Sequence, residues 1–202
     1  MVPPELDRRQ FVRTAAGLAV GAGVAVTASS RSAAGATLSE AERADLLYVR
    51  EEEKLARDVY RRFGERYDLR AFDAIAASEQ RHVDAMVSLL DAYDLPDPAT
   101  DEVGTFANAD LQALYDDLRA RGETSTVAAL RVGGLIEETD VLDLDAARAR
   151  TDERAVDRVY GNLRAGSENH LRAFVDALAA RGVTYAPQVL DADAYAAVVD
   201  AT

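Results

Sequence analysis

The chain has 202 residues, of which 36 are Asp or Glu and 23 are Lys or Arg, for a formal net charge of -13. That length suits one compact domain of about 150 residues with a terminal segment, and that charge disfavours a nucleic-acid or anionic-membrane partner. The sequence contains no cysteine, which excludes disulfides, thiolate zinc sites, cysteine-held iron–sulfur clusters and a rubredoxin-type module. Any metal must therefore be held by nitrogen and oxygen.

The chain opens with Asp7-Arg8-Arg9-Gln10-Phe11-Val12-Arg13, an apolar run from Thr14 to Ala28 broken by Gly17, Gly21 and Gly23, and then Ala34-Gly35-Ala36. Paired arginines, an aromatic two positions on, a weakly hydrophobic core and a small-x-small site resemble a twin-arginine export signal. Asp7 and Val12 are less usual in such a signal. The resemblance implies export of a folded protein, cleavage after Ala36, and a division into a signal over 1–36 and a domain over 37–202. An uncleaved anchor or a disordered tail are the alternatives for this segment. No run of about 20 apolar residues follows it, so no stable membrane span is expected after cleavage.

Ser39-Glu40-Ala41-Glu42 reads as a capping box opening a helix to about Tyr67, with Val49, Glu53, Ala56, Tyr60 and Phe63 on its buried stripe. A second helix after Asp68 presents Phe72, Ile75, Ala76, Glu79, His82, Val83, Met86, Leu89, Leu90 and Tyr93 at helical spacing, until Leu95-Pro96-Asp97-Pro98 ends it. A long connection carries a short helix from Ala109 to Arg121 capped by Asn108. A third long helix starts near Ser125 and places Leu130, Gly133, Glu137, Asp140, Val141 and Leu144 inward, with Gly133-Gly134 marking close packing. The fourth begins at Thr151-Asp152-Glu153, carries Val156, Tyr160, Leu163, Ser167, His170 and Phe174, and ends at Arg181-Gly182, with a short tail helix from Asp191. The prediction is an all-α, antiparallel four-helix bundle whose long second-to-third connection is the ferritin-like pattern.

Both histidines of the chain, His82 and His170, fall on faces that must be buried. Glu79 lies one turn before His82, so the two project to the same side and can reach one metal ion. Alone that pair is weak, and a core imidazole bonded to a neighbour is the bland reading of either histidine. Glu53 and Glu137 strengthen it, because an unpaired carboxylate on a buried face is costly. The candidate ligands are thus Glu53, Glu79, His82, Glu137 and His170, with Asp140 as a conditional sixth. Glu52 is the rival to Glu53, while Glu51, Glu52 and Glu138 otherwise read as solvated faces or contacts around the ligands. Tyr60 packs in the bundle, hydrogen-bonds a ligand or relays an electron.

The stretch Glu53-Lys54-Leu55-Ala56-Arg57-Asp58-Val59-Tyr60 resembles the first metal-binding helix of rubrerythrins and ferritins, which have Glu, Ala and Tyr at this spacing. Together with Arg50-Glu51-Glu52, Ser78-Glu79-Gln80-Arg81-His82, Ile136-Glu137-Glu138-Thr139-Asp140 and Gly166-Ser167-Glu168-Asn169-His170, the pattern over Ser39 to Tyr195 resembles the ferritin-like family known as domain of unknown function 2202. The resemblance implies a bundle with a diiron site and no particular reaction. Ser167 stands where related proteins with two Glu-x-x-His motifs have Glu, and Asp140 stands where rubrerythrins carry an extra carboxylate.

Two iron ions, or manganese in their place, would suit this oxygen and nitrogen shell, with ferrous iron, peroxide or oxygen as substrate and an external electron donor. The alternative is a non-catalytic exported bundle, metal-binding or metal-free, that stores, senses or binds at the envelope. No haem is expected, because axial His82 and His170 would leave the buried acids unexplained. Assembly into homo-oligomers stays open.

Overall fold

The computed structural model describes residues 38–201; the export-signal reading of residues 1–36 lies outside them. Six helices follow in order: α1 Glu40–Tyr67, α2 Arg70–Ala92, α3 Ala109–Gly122, α4 Thr126–Arg148, α5 Arg154–Ala179 and α6 Ala192–Val199. No strand occurs among the described residues. No described helix is long and apolar enough to cross a membrane.

Local chemistry sets the helix ends. Ser39 accepts from the Glu42 amide at 3.2 Å, and the Glu42 carboxylate accepts from the Ser39 amide at 2.8 Å, a reciprocal cap for α1. Asp68 closes α1 in the left-handed conformation, φ 47°, with its amide on the Gly64 carbonyl. Asn108, Ser125 and Asp191 cap α3, α4 and α6 through their side chains. The fourth long helix starts later than Thr151 suggested, because the Thr151 hydroxyl accepts from the Glu153 amide at 3.1 Å and donates to Glu42 at 2.7 Å. Thr151 ties the α4–α5 link to the start of α1.

Two helical hairpins, α1 with α2 and α4 with α5, pack into an all-α bundle through contacts of α2 with α5 and α1 with α4. The interior is layered. At one end Leu46, Val49, Met86, Leu90, Leu144, Val156, Tyr160 and Leu163 form an apolar cluster. At the other, Tyr60, Phe72 and Phe174 pack with ring centroids 5.2 to 6.4 Å apart, and Phe63 lies 5.5 Å from Phe72. Gly133 admits this aromatic layer, since a Cβ there would lie 2.6 Å from the Phe174 ring. Each long helix contributes its acidic or imidazole residues between the two layers.

From Val49 to Tyr60 helix α1 is buried on every side, which an amphipathic helix cannot be if only the bundle covers it. The second cover is the α2–α3 crossover. Arg50 donates to Asp97 at 2.8 Å, and Lys54 donates to the Glu102 and Thr105 carbonyls at 2.8 and 3.1 Å. Asp58 accepts from the Gly104 amide at 3.0 Å, while Glu51 accepts from the Ala107 and Asn108 amides. Glu51, Glu52 and Glu138 are therefore not solvated faces: all are buried. Glu138 accepts from the amides of Gln188, Val189 and Leu190 and from the Tyr185 hydroxyl, fastening the chain beyond α5 onto α4.

Candidate metal centre

Helical spacing puts Glu79 and His82 on one face of α2, and the layered packing brings that face against α1, α4 and α5. His82 Nδ1 lies 2.8 Å from Glu79 Oε2 and 3.1 Å from Glu53 Oε2. His170 Nδ1 lies 2.8 Å from Glu79 Oε1 and 3.5 Å from Glu137 Oε2. The two imidazoles stack with centroids 5.5 Å apart. Glu79 thus offers one oxygen to each histidine and is the shared carboxylate of two clusters, Glu53–Glu79–His82 and Glu79–Glu137–His170.

His82 reaches this position because α5 is small beside it: a Cβ on Gly166 would lie 2.5 Å from His82 Nε2. Its Nε2 edge faces that helix, which turns Nδ1 toward the acids. Tyr60 donates to Glu137 Oε1 at 2.5 Å, so it both packs among the aromatic rings and holds a carboxylate of the second cluster. The Ser167 hydroxyl donates to Asp140. Asp140 belongs to neither cluster, yet it feels the charges of Glu53, Glu137 and Glu79.

Burial and mutual charge together set the protonation tendencies of these acids and imidazoles. Burial pushes Glu53 up to about 7 against the opposing pull of His82. Burial also raises Glu137 and Asp140, reinforced by carboxylate neighbours. Glu79 would rise by burial as well, but His170 and His82 outweigh this and hold it at about 2. Burial pulls both imidazoles toward neutrality, yet the acids prevail: Glu53 and Glu79 hold His82 at about 11, and Glu137 and Glu79 hold His170 at about 10.

Hydrogen bonds leave this set incomplete. Glu53 Oε1 and Asp140 Oδ1 are buried without a hydrogen-bond partner. Most buried polar atoms are satisfied, and each orphan here is an atom type that ligates metal. His170 Nδ1 instead meets Glu79 Oε1 at 2.8 Å and Glu137 Oε2 at 3.5 Å as an ion pair. Each cluster offers the carboxylate and imidazole donors that could hold a metal ion, and Glu79 belongs to both.

All five principal candidates from the sequence meet here, and Glu53 rather than Glu52 reaches His82. From sequence, Glu53 and Glu137 read as ligands or bridges and Glu79 as the ligand beside His82, whereas the carboxylate common to both clusters is Glu79. Ser167 was legible as a missing carboxylate; its bond to Asp140 was not, since the partners lie on different helices.

The fold and this site define an all-α bundle carrying paired carboxylate–imidazole clusters. The chain belongs to the family described as "Uncharacterized protein domain (DUF2202)", whose model matches residues 42–202. It is 42% identical over 166 residues to "Uncharacterized protein MJ0754" of Methanocaldococcus jannaschii, covering 82% of this chain and 90% of that one. The crystal structure of hypothetical protein MJ0754 superposes with a TM-score of 0.82 at 41% identity, over 85% of this chain and 99% of that one.

Proposed function

We propose that this chain is an exported, ferritin-like dimetal carboxylate protein that oxidises ferrous iron or reduces peroxide or oxygen. The observation that carries the reading is the pair of clusters sharing Glu79, buried between two apolar layers that keep bulk water out. Support for the ferritin-like arrangement comes from two hairpins joined by a long crossover with a short helix. Two iron ions, when bound, supply cycling between ferrous and ferric states, and manganese would suit the same hard donors.

His82 and Glu53 would hold one ion and His170 and Glu137 the other, with Glu79 belonging to both clusters. Tyr60 fixes the Glu137 carboxylate and keeps a hydroxyl proton beside the centre. Without cysteine the chain has no cysteine-held iron centre of its own, so electrons for repeated turnover come from an external donor. A second reading, iron holding or sensing without turnover, is favoured by Ser167, which leaves Glu79 the one carboxylate shared by both clusters.

The test loads the full chain anaerobically with ferrous iron and counts bound metal before peroxide or oxygen is admitted. Near two irons per chain, reduced to one or none in His82→Ala and Glu137→Ala and oxidised rapidly in wild type, is the expected result. Stoichiometric iron that neither oxidant changes selects the holding role. No stoichiometric iron or manganese, with both variants folded, overturns the dimetal reading.

A further inference from the structure

A cavity of about 390 Å³ opens on the outer side of α1, where the second half of that helix meets the crossover and α3. None of the residues of the two metal clusters lines it. Its walls carry Arg61 and Arg62 of α1 and Arg119 of α3. In a chain of net charge -13, three guanidiniums converging on one hollow reverse the local sign. Two carboxylates oppose them: Glu65, which also lines the cavity, and Glu123, which pairs with both Arg62 and Arg119. Three charges against two leave the cavity positive.

Each guanidinium is pinned through one nitrogen. Arg62 Nε donates to Glu123 Oε1 at 2.8 Å, Arg119 Nη1 to Glu123 Oε2 at 3.2 Å, and Arg61 Nη2 to Gln80 Oε1 at 2.9 Å. These are the only hydrogen bonds the three make among the described residues. Two nitrogens of each are left for the forked contacts that carboxylate and phosphate oxygens accept. Tyr115 also lines the cavity although it is only 6% exposed, and its hydroxyl has no hydrogen-bond partner among the described residues. Gly104, at φ 75°, lets the crossover run against that hydroxyl, since a Cβ there would fall 2.7 Å from it, and the buried Asp58 fixes the Gly104 amide from beneath. Val103, 58% exposed, adds an apolar surface.

We propose that this cavity binds a small organic oxyanion, its carboxylate or phosphate group on Arg61, Arg62 and Arg119 and its carbon body against Val103 and the Tyr115 ring. The Tyr115 hydroxyl supplies a further donor. The volume lies near the lower end of the roughly 300–1,000 Å³ of small-molecule sites, which suits a metabolite-sized ligand. Cations already held in place lose less side-chain freedom on binding, so the pinning favours affinity. The site is independent of the dimetal reading.

Phenyl phosphate, benzoate and inorganic phosphate, each titrated into the full chain, serve as probes, followed by calorimetry and by amide NMR shifts. Phenyl phosphate or benzoate should bind one per chain and more tightly than inorganic phosphate, with the largest shifts at Val103, Gly104 and Arg119; the tighter of the two identifies the head group. Arg61→Gln with Arg119→Gln should weaken that binding by about tenfold or more, equivalent to about 1.4 kcal/mol, with thermal unfolding little changed. If the double variant does not fold, Arg61→Gln alone, a residue with no anionic partner to lose, should weaken binding in the same direction. His82→Ala should leave binding unchanged. Equal affinity for inorganic phosphate, affinity unaltered by the arginine variants, loss of binding in His82→Ala, or no saturable binding of any probe each overturns the proposal.

Discussion

On the dimetal reading, loading the site with metal displaces protons. At pH 7 His82, at about 11, and His170, at about 10, are both imidazolium, whereas a metal ligand must be neutral imidazole. Binding of two cations is therefore expected to release at least two protons per chain, with a further fraction from Glu53 at about 7. Calorimetry in buffers of different ionisation enthalpy measures this; release of fewer than one proton would show that the imidazoles are not ligands. A second residue-scale prediction concerns Glu42, held at about 2 by the Thr151 hydroxyl first and by Ser39. A lowered folded-state pKa contributes stability that is present above the unfolded value of about 4.5 and lost as pH falls through about 2. The melting-temperature deficit of Glu42→Gln should be full above pH 4.5 and shrink toward pH 2; a deficit independent of pH would assign the effect to packing.

Helix α1 carries chemistry on opposite sides at once. Its inner side presents Glu53 and Tyr60, and its outer side presents Arg50, Glu51, Lys54 and Asp58 to the crossover. Asp58 is fully buried and holds Lys54 Nζ at 2.7 Å and the Arg57 guanidinium at 2.8 Å. Removing one partner of a buried pair leaves an uncompensated charge, so Asp58→Ala should cost about 3–5 kcal/mol of unfolding free energy, read by urea denaturation. Hydrogen exchange at the crossover amides, Gly104 above all, should accelerate in the same variant. A loss below about 1 kcal/mol would place this latch among ordinary surface pairs. From sequence Glu51 read as a solvated face or a contact around the ligands, because its cover comes from backbone amides more than fifty positions away. The inward acids were legible, since helical spacing puts Glu53 in line with Val49, Ala56 and Tyr60.

For the whole molecule, the export proposal rests on Arg8 and Arg9 with the apolar run that follows them. In a host with a twin-arginine pathway the full chain should fractionate outside the cytoplasm, and Arg8→Lys with Arg9→Lys should retain it; equal distribution of both would sink the export reading. Composition and periodicity by themselves determined the all-helical class, the caps at Ser39 and Asn108, a helix start near Ser125, and the nitrogen and oxygen character of any metal site. These are local properties, set by side-chain chemistry and a 3.6-residue repeat. Only the tertiary structure decided which acid is shared, which acids are latches and which are left without partners. Glu79, Glu138 and Glu52 are alike as residue types on helices, and what separates them is the element packed opposite: two imidazoles, a row of backbone amides, or another carboxylate.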